Sequence, residues 1–158
     1  MAQVQDGDKA PDFELPTESG KPVKLSGLIK AGGKPVVVYF YPKDDTSGCT
    51  AEAKDFTRLA ADFERAGVEV IGISPDSPES HRKFASKHGL KLRLAADADK
   101  AVANAYGVWV EKSMYGRKYK GVERSTFLID KSGRIAKAWR KVKVPGHADE
   151  VLAAAKGL

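Results

Sequence analysis

Residues 36 to 41, VVVYFY, form an unbroken apolar run of β-branched and aromatic side chains closed by Pro42, the pattern of a strand covered on both faces. Polar residues fill positions 43 to 48. From Thr50 onward Phe56, Leu59, Ala60 and Phe63 recur at helical spacing, with Gly67 placed for a left-handed cap. The run VEVIGIS, 68 to 74, predicts a second buried strand. Ser77 followed by Pro78 predicts a helix start, and that helix is stopped by Gly89. LKLRLA predicts a third strand and DADKAVANAYG a short helix ending at Gly107. VERSTFLID and RIAKAWRKVKV, joined by KSG, predict a hairpin, and a closing helix runs from about His147 to Lys156. Strands alternating with helices imply parallel βαβ units, and the later hairpin adds antiparallel strands. The expected class is therefore α/β, with a central mixed β-sheet flanked by helices on both faces and sites in loops at the carboxyl ends of strands.

Composition narrows this picture. The 158 residues suit a single domain spanning 1–158, and 42% hydrophobic with 30% charged residues are ordinary globular proportions. The opening residues MAQVQDGDKAPDFELP lack the basic cap and apolar run of a secretory signal, and no stretch is long and apolar enough to span a bilayer. A cytoplasmic location without membrane attachment is expected. The net charge of +6 concentrates in YGRKYKGVERS and WRKVKV, which read as solvated, mixed-sign surface with one or two functional arginines and no nucleic-acid partner. No phosphate-binding loop or dinucleotide fingerprint is present, so no nucleotide cofactor is expected. His81 and His88 lie seven apart and His147 opens another helix; without metal-ligand spacing they are expected at the surface, and no metal is expected. Period-two alternation puts Arg140 in line with Ala138 and Val142, on the core side or at an edge.

The single cysteine changes the reading most. Cys49 falls in the loop after the first strand, in the first turn of the following helix if Thr46 or Ser47 caps it. There unpaired N–H groups and the positive end of the helix dipole favour an anion. A lone cysteine is more often a small buried hydrophobe, but the polar neighbours Asp44, Asp45, Ser47 and Gly48 argue against that use. One cysteine cannot form an internal disulfide, and a C-x-x-C exchange is excluded because threonine holds the first position. Glu52, one turn on, suits the positive helix start and reads as structural.

Pro42, Thr46 and Cys49 stand in the order P-x-x-x-T-x-x-C, and YFYPKDDTSGCTAEAKDF closely resembles the Q-type branch of the peroxiredoxins, the bacterioferritin comigratory proteins. The likeness extends to GDKAPDFELP, GISPDSPESHRKFA, GVWVEKSMYGRKYKGVERSTFLID and WRKVKVPGH. The resemblance implies a thioredoxin-like fold, Cys49 as the peroxidatic cysteine, Arg124 as the arginine that completes the active site, and a monomer. It implies a thiol-dependent peroxidase that reduces hydrogen peroxide and organic hydroperoxides through a sulfenic acid. Pro42 would shape the strand exit and shield the sulfur, Thr46 would accept and donate through its hydroxyl, and Arg124 would hold thiolate and peroxide together. Each also has a plain structural use, as strand terminator, helix cap and surface cation.

A thiol with a pKa of about 8.5 is already roughly 3% thiolate at neutral pH, so full ionisation accounts for at most about thirtyfold in rate. Most of the acceleration must come from positioned donors. Where many Q-type members keep a resolving cysteine, this chain has Lys54 or Ala85, and Ser47 replaces the usual proline before Gly48. The expectation is a one-cysteine cycle completed by an external thiol: thioredoxin, glutaredoxin or a small thiol. Two other readings stand beside it, a redox-inert thioredoxin-like binding module with a basic surface and a thiol-disulfide oxidoreductase.

Overall fold

The computed structural model describes residues 4–158. Along the chain lie β1 (Glu14–Pro16), β2 (Pro22–Lys24), α1 (Leu25–Gly32), β3 (Val36–Phe40), α2 (Ser47–Arg58), α3 (Ala60–Arg65), β4 (Glu69–Ser74) and α4 (Pro78–His88). They are followed by β5 (Arg93–Ala96), α5 (Ala101–Ala105), β6 (Trp109–Met114), β7 (Arg117–Val122), β8 (Ser125–Ile129), β9 (Ile135–Trp139) and α6 (His147–Lys156).

Five strands form the main sheet in the order β5-β4-β3-β8-β9. β3 pairs parallel with β4, and β4 with β5, as the βαβ reading requires, whereas β8 pairs antiparallel with both β3 and β9. β3 is central and wholly buried, so its alternation feeds two cores. Val36, Val38 and Phe40 face one side, packing with Phe13, Tyr106, Phe127 and the buried side chains of α1 and α5. Val37, Tyr39 and the following Tyr41 face the other, against Phe56, Phe63, Phe84, Leu128 and Leu152 from α2, α3, α4, β8 and α6. The mixed sheet with helices on both faces is as the pattern implied.

Several local features differ from the sequence reading. The helix expected to run unbroken to Gly67 is two helices, because Leu59 leaves helical geometry at φ −95° and ψ 5°. The bend keeps Phe56 and Phe63 in one cluster, their rings 5.9 Å apart. The third strand begins at Arg93, later than LKLRLA suggests, while Leu90 and Leu92 pack half-buried beside it. The Ser77 cap forms as expected, accepting from the Ser80 N–H at 3.1 Å with Pro78 at the first helical position. The β6–β7 hairpin was not foreseen. Tyr115 and Gly116 turn it with φ of 51° and 78°, the left-handed pair that joins two twisted strands through two residues.

Tyr39 and Gly72, cross-strand neighbours in the β3–β4 register, show how tightly the second core is filled. Tyr39 stacks on Phe56 at 4.6 Å, and its ring lies where a Gly72 side chain would go: a Cβ there would sit 2.8 Å from the Tyr39 Cζ and hydroxyl. Gly72→Ala is expected to destabilise by about 1–3 kcal/mol through overpacking. Urea denaturation checks this, and an unchanged midpoint would show that the ring moves aside freely.

Candidate active site

The end of β3 and the start of β8 meet in register, Phe40 opposite Ser125, so Arg124 enters beside the loop that leaves the sheet at Tyr41. That loop, residues 42 to 46, delivers the chain to α2. Helical spacing then gives α2 a buried stripe of Cys49, Glu52, Ala53 and Phe56. Cys49 keeps 1% of its area in solvent and Glu52 1%, while the Arg124 side chain keeps 17%. The Arg124 guanidinium bridges the two: Nη2 donates to Cys49 Sγ at 3.3 Å and Nη1 to Glu52 Oε1 at 2.6 Å. Gly48 admits this approach, since a Cβ there would lie 3.2 Å from Arg124 Nη2.

Burial raises the Glu52 pKa to about 7, although the charge and hydrogen bond of Arg124 draw it down. Burial alone would lower the Arg124 pKa, but the attraction of Glu52 and Cys49 outweighs it and holds the guanidinium more firmly charged. Glu52 Oε2 is buried without a hydrogen-bond partner, so one cation serves two acidic groups in a water-poor setting.

The other expected site residues are placed differently. Thr46 is the N-cap residue by backbone, and its carbonyl accepts from the Thr50 N–H at 2.8 Å. Its side chain does not cap the helix; the exposed hydroxyl donates to the Lys43 carbonyl at 2.9 Å. Pro42 is half-buried at the first position of the loop. Direct contact therefore joins Cys49 with Arg124, while Thr46 and Pro42 frame the loop beside them.

The loop itself is fastened to α4. Asp44 accepts from the Tyr41 hydroxyl at 2.6 Å and the Ser80 hydroxyl at 2.8 Å, and lies 2.7 Å from His81 Nδ1. The Asp44 N–H donates to Asp76 at 2.8 Å. Asp45, at φ 61°, meets Lys87 at 2.6 Å and His88 at 2.7 Å. These contacts correct the placement of the histidines at the surface. His81 is fully buried, with Nε2 donating to the Ala95 carbonyl at 3.0 Å. His147 is buried against Thr126 at 2.8 Å, its pKa lowered by that burial, and only His88 is partly exposed. Asp44, Asp76 and His81 hold ligand-type atoms within 4.8 Å of one another. Both Asp44 oxygens and both His81 nitrogens are already engaged with protein groups, so the cluster is a structural brace for the loop. Arg140 does turn to the core side, donating to the Val4 carbonyl at 2.7 Å and lying 5.3 Å over the Phe127 ring.

Glu52 is the residue of this cluster that sequence reasoning undervalued. Its place on the stripe shared with Cys49, Ala53 and Phe56 was the available signal, because a carboxylate on a buried stripe needs a cation.

A thioredoxin-like layering, a cysteine in the first turn of the helix after the central strand, and an arginine just before the neighbouring strand reaching its sulfur define a peroxiredoxin-type site. The AhpC/TSA family model matches residues 7–138, and the chain belongs to that family, in its Bcp or Q-type peroxiredoxin branch. Peroxiredoxin Bcp of Bacillus subtilis is 48% identical over 155 residues, covering 98% of this chain and 97% of the relative. The solved Xanthomonas campestris bacterioferritin comigratory protein, studied for its alkyl peroxide reduction activity, superposes with a TM-score of 0.88 at 43% identity, covering 99% and 98% of the two chains. A mutant of Xylella fastidiosa PrxQ superposes with a TM-score of 0.91 at 38% identity, covering 99% and 98%.

Two outcomes follow from the charge cluster. An acid whose folded pKa lies above its unfolded one stabilises the fold most when protonated. The Glu52 contribution is therefore full below about pH 4.5 and is lost as pH rises through about 7. Relative to Glu52→Gln, the wild type is expected to lose roughly 3 kcal/mol between those limits; parallel stability curves in urea would contradict this. Gly48→Ala is expected to displace Arg124 and slow oxidation of Cys49 by about tenfold or more with little change in melting temperature, checked by stopped-flow and thermal denaturation together.

Proposed function

We propose that this protein is a thiol-dependent peroxidase that reduces hydrogen peroxide and organic hydroperoxides at Cys49. The observation that carries the reading is the Arg124 guanidinium held 3.3 Å from Cys49 Sγ while anchored on Glu52. The sulfur anion attacks one peroxide oxygen, the O–O bond breaks, and the departing oxygen takes a proton to leave as water or an alcohol. Cys49 becomes a sulfenic acid. Arg124 stabilises the charge that moves from sulfur to the leaving oxygen, aided by helix-start N–H groups that no Thr46 side chain caps. Because the Thr46 hydroxyl proton is committed to Lys43, its oxygen is left to accept from the hydroperoxide O–H. Pro42, lacking an N–H, shields the sulfur's side of the loop.

Cys49 is the sole cysteine, and Ala85 lies half-buried on α4 while Lys54 is exposed on α2, so reduction of the sulfenic acid falls to an external thiol. Thioredoxin, glutaredoxin and small thiols are the candidate classes. The proposed setting is the cytoplasm, where such thiols are kept reduced, with the chain acting as a monomer. Among the described residues no helix is long and apolar enough to cross a membrane. A redox-inert binding module would leave the buried cluster of Cys49, Arg124 and Glu52 without a use.

Peroxide titration followed by mass spectrometry should add one oxygen to the wild type and none to Cys49→Ser. Arg124→Ala is expected to slow the oxidation by about 10²–10³ at every pH from neutral to alkaline. A loss that vanishes once the thiol is fully ionised would show that Arg124 acts on ionisation alone.

A further inference from the structure

Among the described residues the β6–β7 hairpin pairs with no other strand, and its two faces are unlike. The cross-strand register places Trp109 with Val122, Glu111 with Lys120 and Ser113 with Lys118 on one face. At the root of that face Trp109 and Val122 join the first core, and further out Lys118 meets Glu111 at 3.7 Å. The other face carries Val110, Lys112, Met114, Arg117, Tyr119 and Gly121. It bears two cations and no carboxylate, and neither cation closes a salt bridge among the described residues. Met114 is 56% exposed and Tyr119 44%, and with Tyr115 at the tip, 99% exposed, they are three of the four large apolar side chains that stand out from the surface among the described residues.

The root of the hairpin adjoins the active site: β7 ends at Val122, two residues before Arg124, and the Glu123 N–H donates to the Val108 carbonyl at 2.8 Å. The Lys112 stem crosses Gly121, where a Cβ would lie 3.5 and 3.6 Å from its Cδ and Cε. Burial lowers the Lys112 pKa and the Arg124 charge lowers it further, while Glu123 and Cys49 pull it up. Cys49 and Glu52 are buried and Arg124 is the member of the cluster that reaches solvent, so a partner seated at the hairpin's root meets the guanidinium that holds the sulfur.

We propose that the face formed by Lys112, Met114, Arg117 and Tyr119 is the docking platform for an acidic protein dithiol that returns oxidised Cys49 to the thiol. The proposal rests on the peroxidase reading above. An unbalanced pair of cations framing exposed apolar surface favours a partner whose thiol-bearing face is apolar at its centre and acidic at its rim. In the reaction, one partner thiol attacks the sulfenic sulfur, forming a mixed disulfide and releasing water. The second partner thiol then attacks its own sulfur in that bond, so the partner leaves as a disulfide and Cys49 leaves as the reduced thiol.

The test separates docking from peroxide chemistry. Cys49 is first converted to a mixed disulfide with a small chromogenic aromatic thiol, and its release by a reduced thioredoxin of acidic pI is followed by absorbance. Arg117→Glu and Tyr119→Ser, both exposed changes, are each expected to slow release by about tenfold at low ionic strength. The wild-type rate is expected to fall as salt is added, dithiothreitol should release the thiol equally from all three proteins, and peroxide should oxidise Cys49 equally in all three. Equal rates with thioredoxin, an equal loss with dithiothreitol, or a raised KM for organic hydroperoxide in place of the thioredoxin defect would overturn the platform. Failure of wild-type Cys49 to take up peroxide oxygen overturns the peroxidase reading instead, and leaves the thioredoxin comparison valid.

Discussion

One guanidinium held between a carboxylate and a sulfur is the constraint around which the rest of the structure is arranged. Glu52 and Cys49 lie three residues apart on α2, so one cation reaches both only if it arrives from a fixed height above the first turn. The β3–β8 register supplies that height by setting Ser125 opposite Phe40. Two acidic groups and an arginine removed from water are costly unless their geometry is good. The surrounding rings of Tyr39, Tyr41 and Phe56 hold the cluster in place. Removing Arg124 would leave two buried acidic groups without their shared cation.

The two cores divide the labour. The one built on Val36, Val38 and Phe40 receives α1, α5 and the root of the hairpin. The other, built on Val37, Tyr39 and Tyr41, carries α2 and therefore Cys49 itself. Substitutions in the first core act on the site through the β3–β8 register that places Arg124, whereas those in the second act on the helix that bears the sulfur.

Much of this was legible in the residues. The apolar run at 36 to 41, the Ser77–Pro78 helix start and the glycines that end helices each have a local cause, and each forms as the sequence implied. The pairing of Cys49 with Arg124 spans 75 residues and was reached through the motif, since no periodicity connects them. What stayed hidden depends on partners distant in sequence. The burial of His81 follows from Asp44, 37 residues away, and that of His147 from Thr126. The Thr46 hydroxyl had two local uses within reach, accepting from the helix N–H groups or donating to a loop carbonyl, and residue type does not choose between them. The hairpin escaped because its strands mix charges with isolated aromatics in place of an apolar face.

The fastening of the catalytic loop to α4 has a mechanical meaning. Asp44 and Asp45 grip Ser80, His81, Lys87 and His88, spread over most of that helix. Loop and helix thus form one lever resting on the sheet, and tilting α4 swings the sulfur-bearing turn with it. Heat tolerance of the catalytic centre is then governed by the fraying of one eleven-residue helix, and the sheet beneath can outlast it.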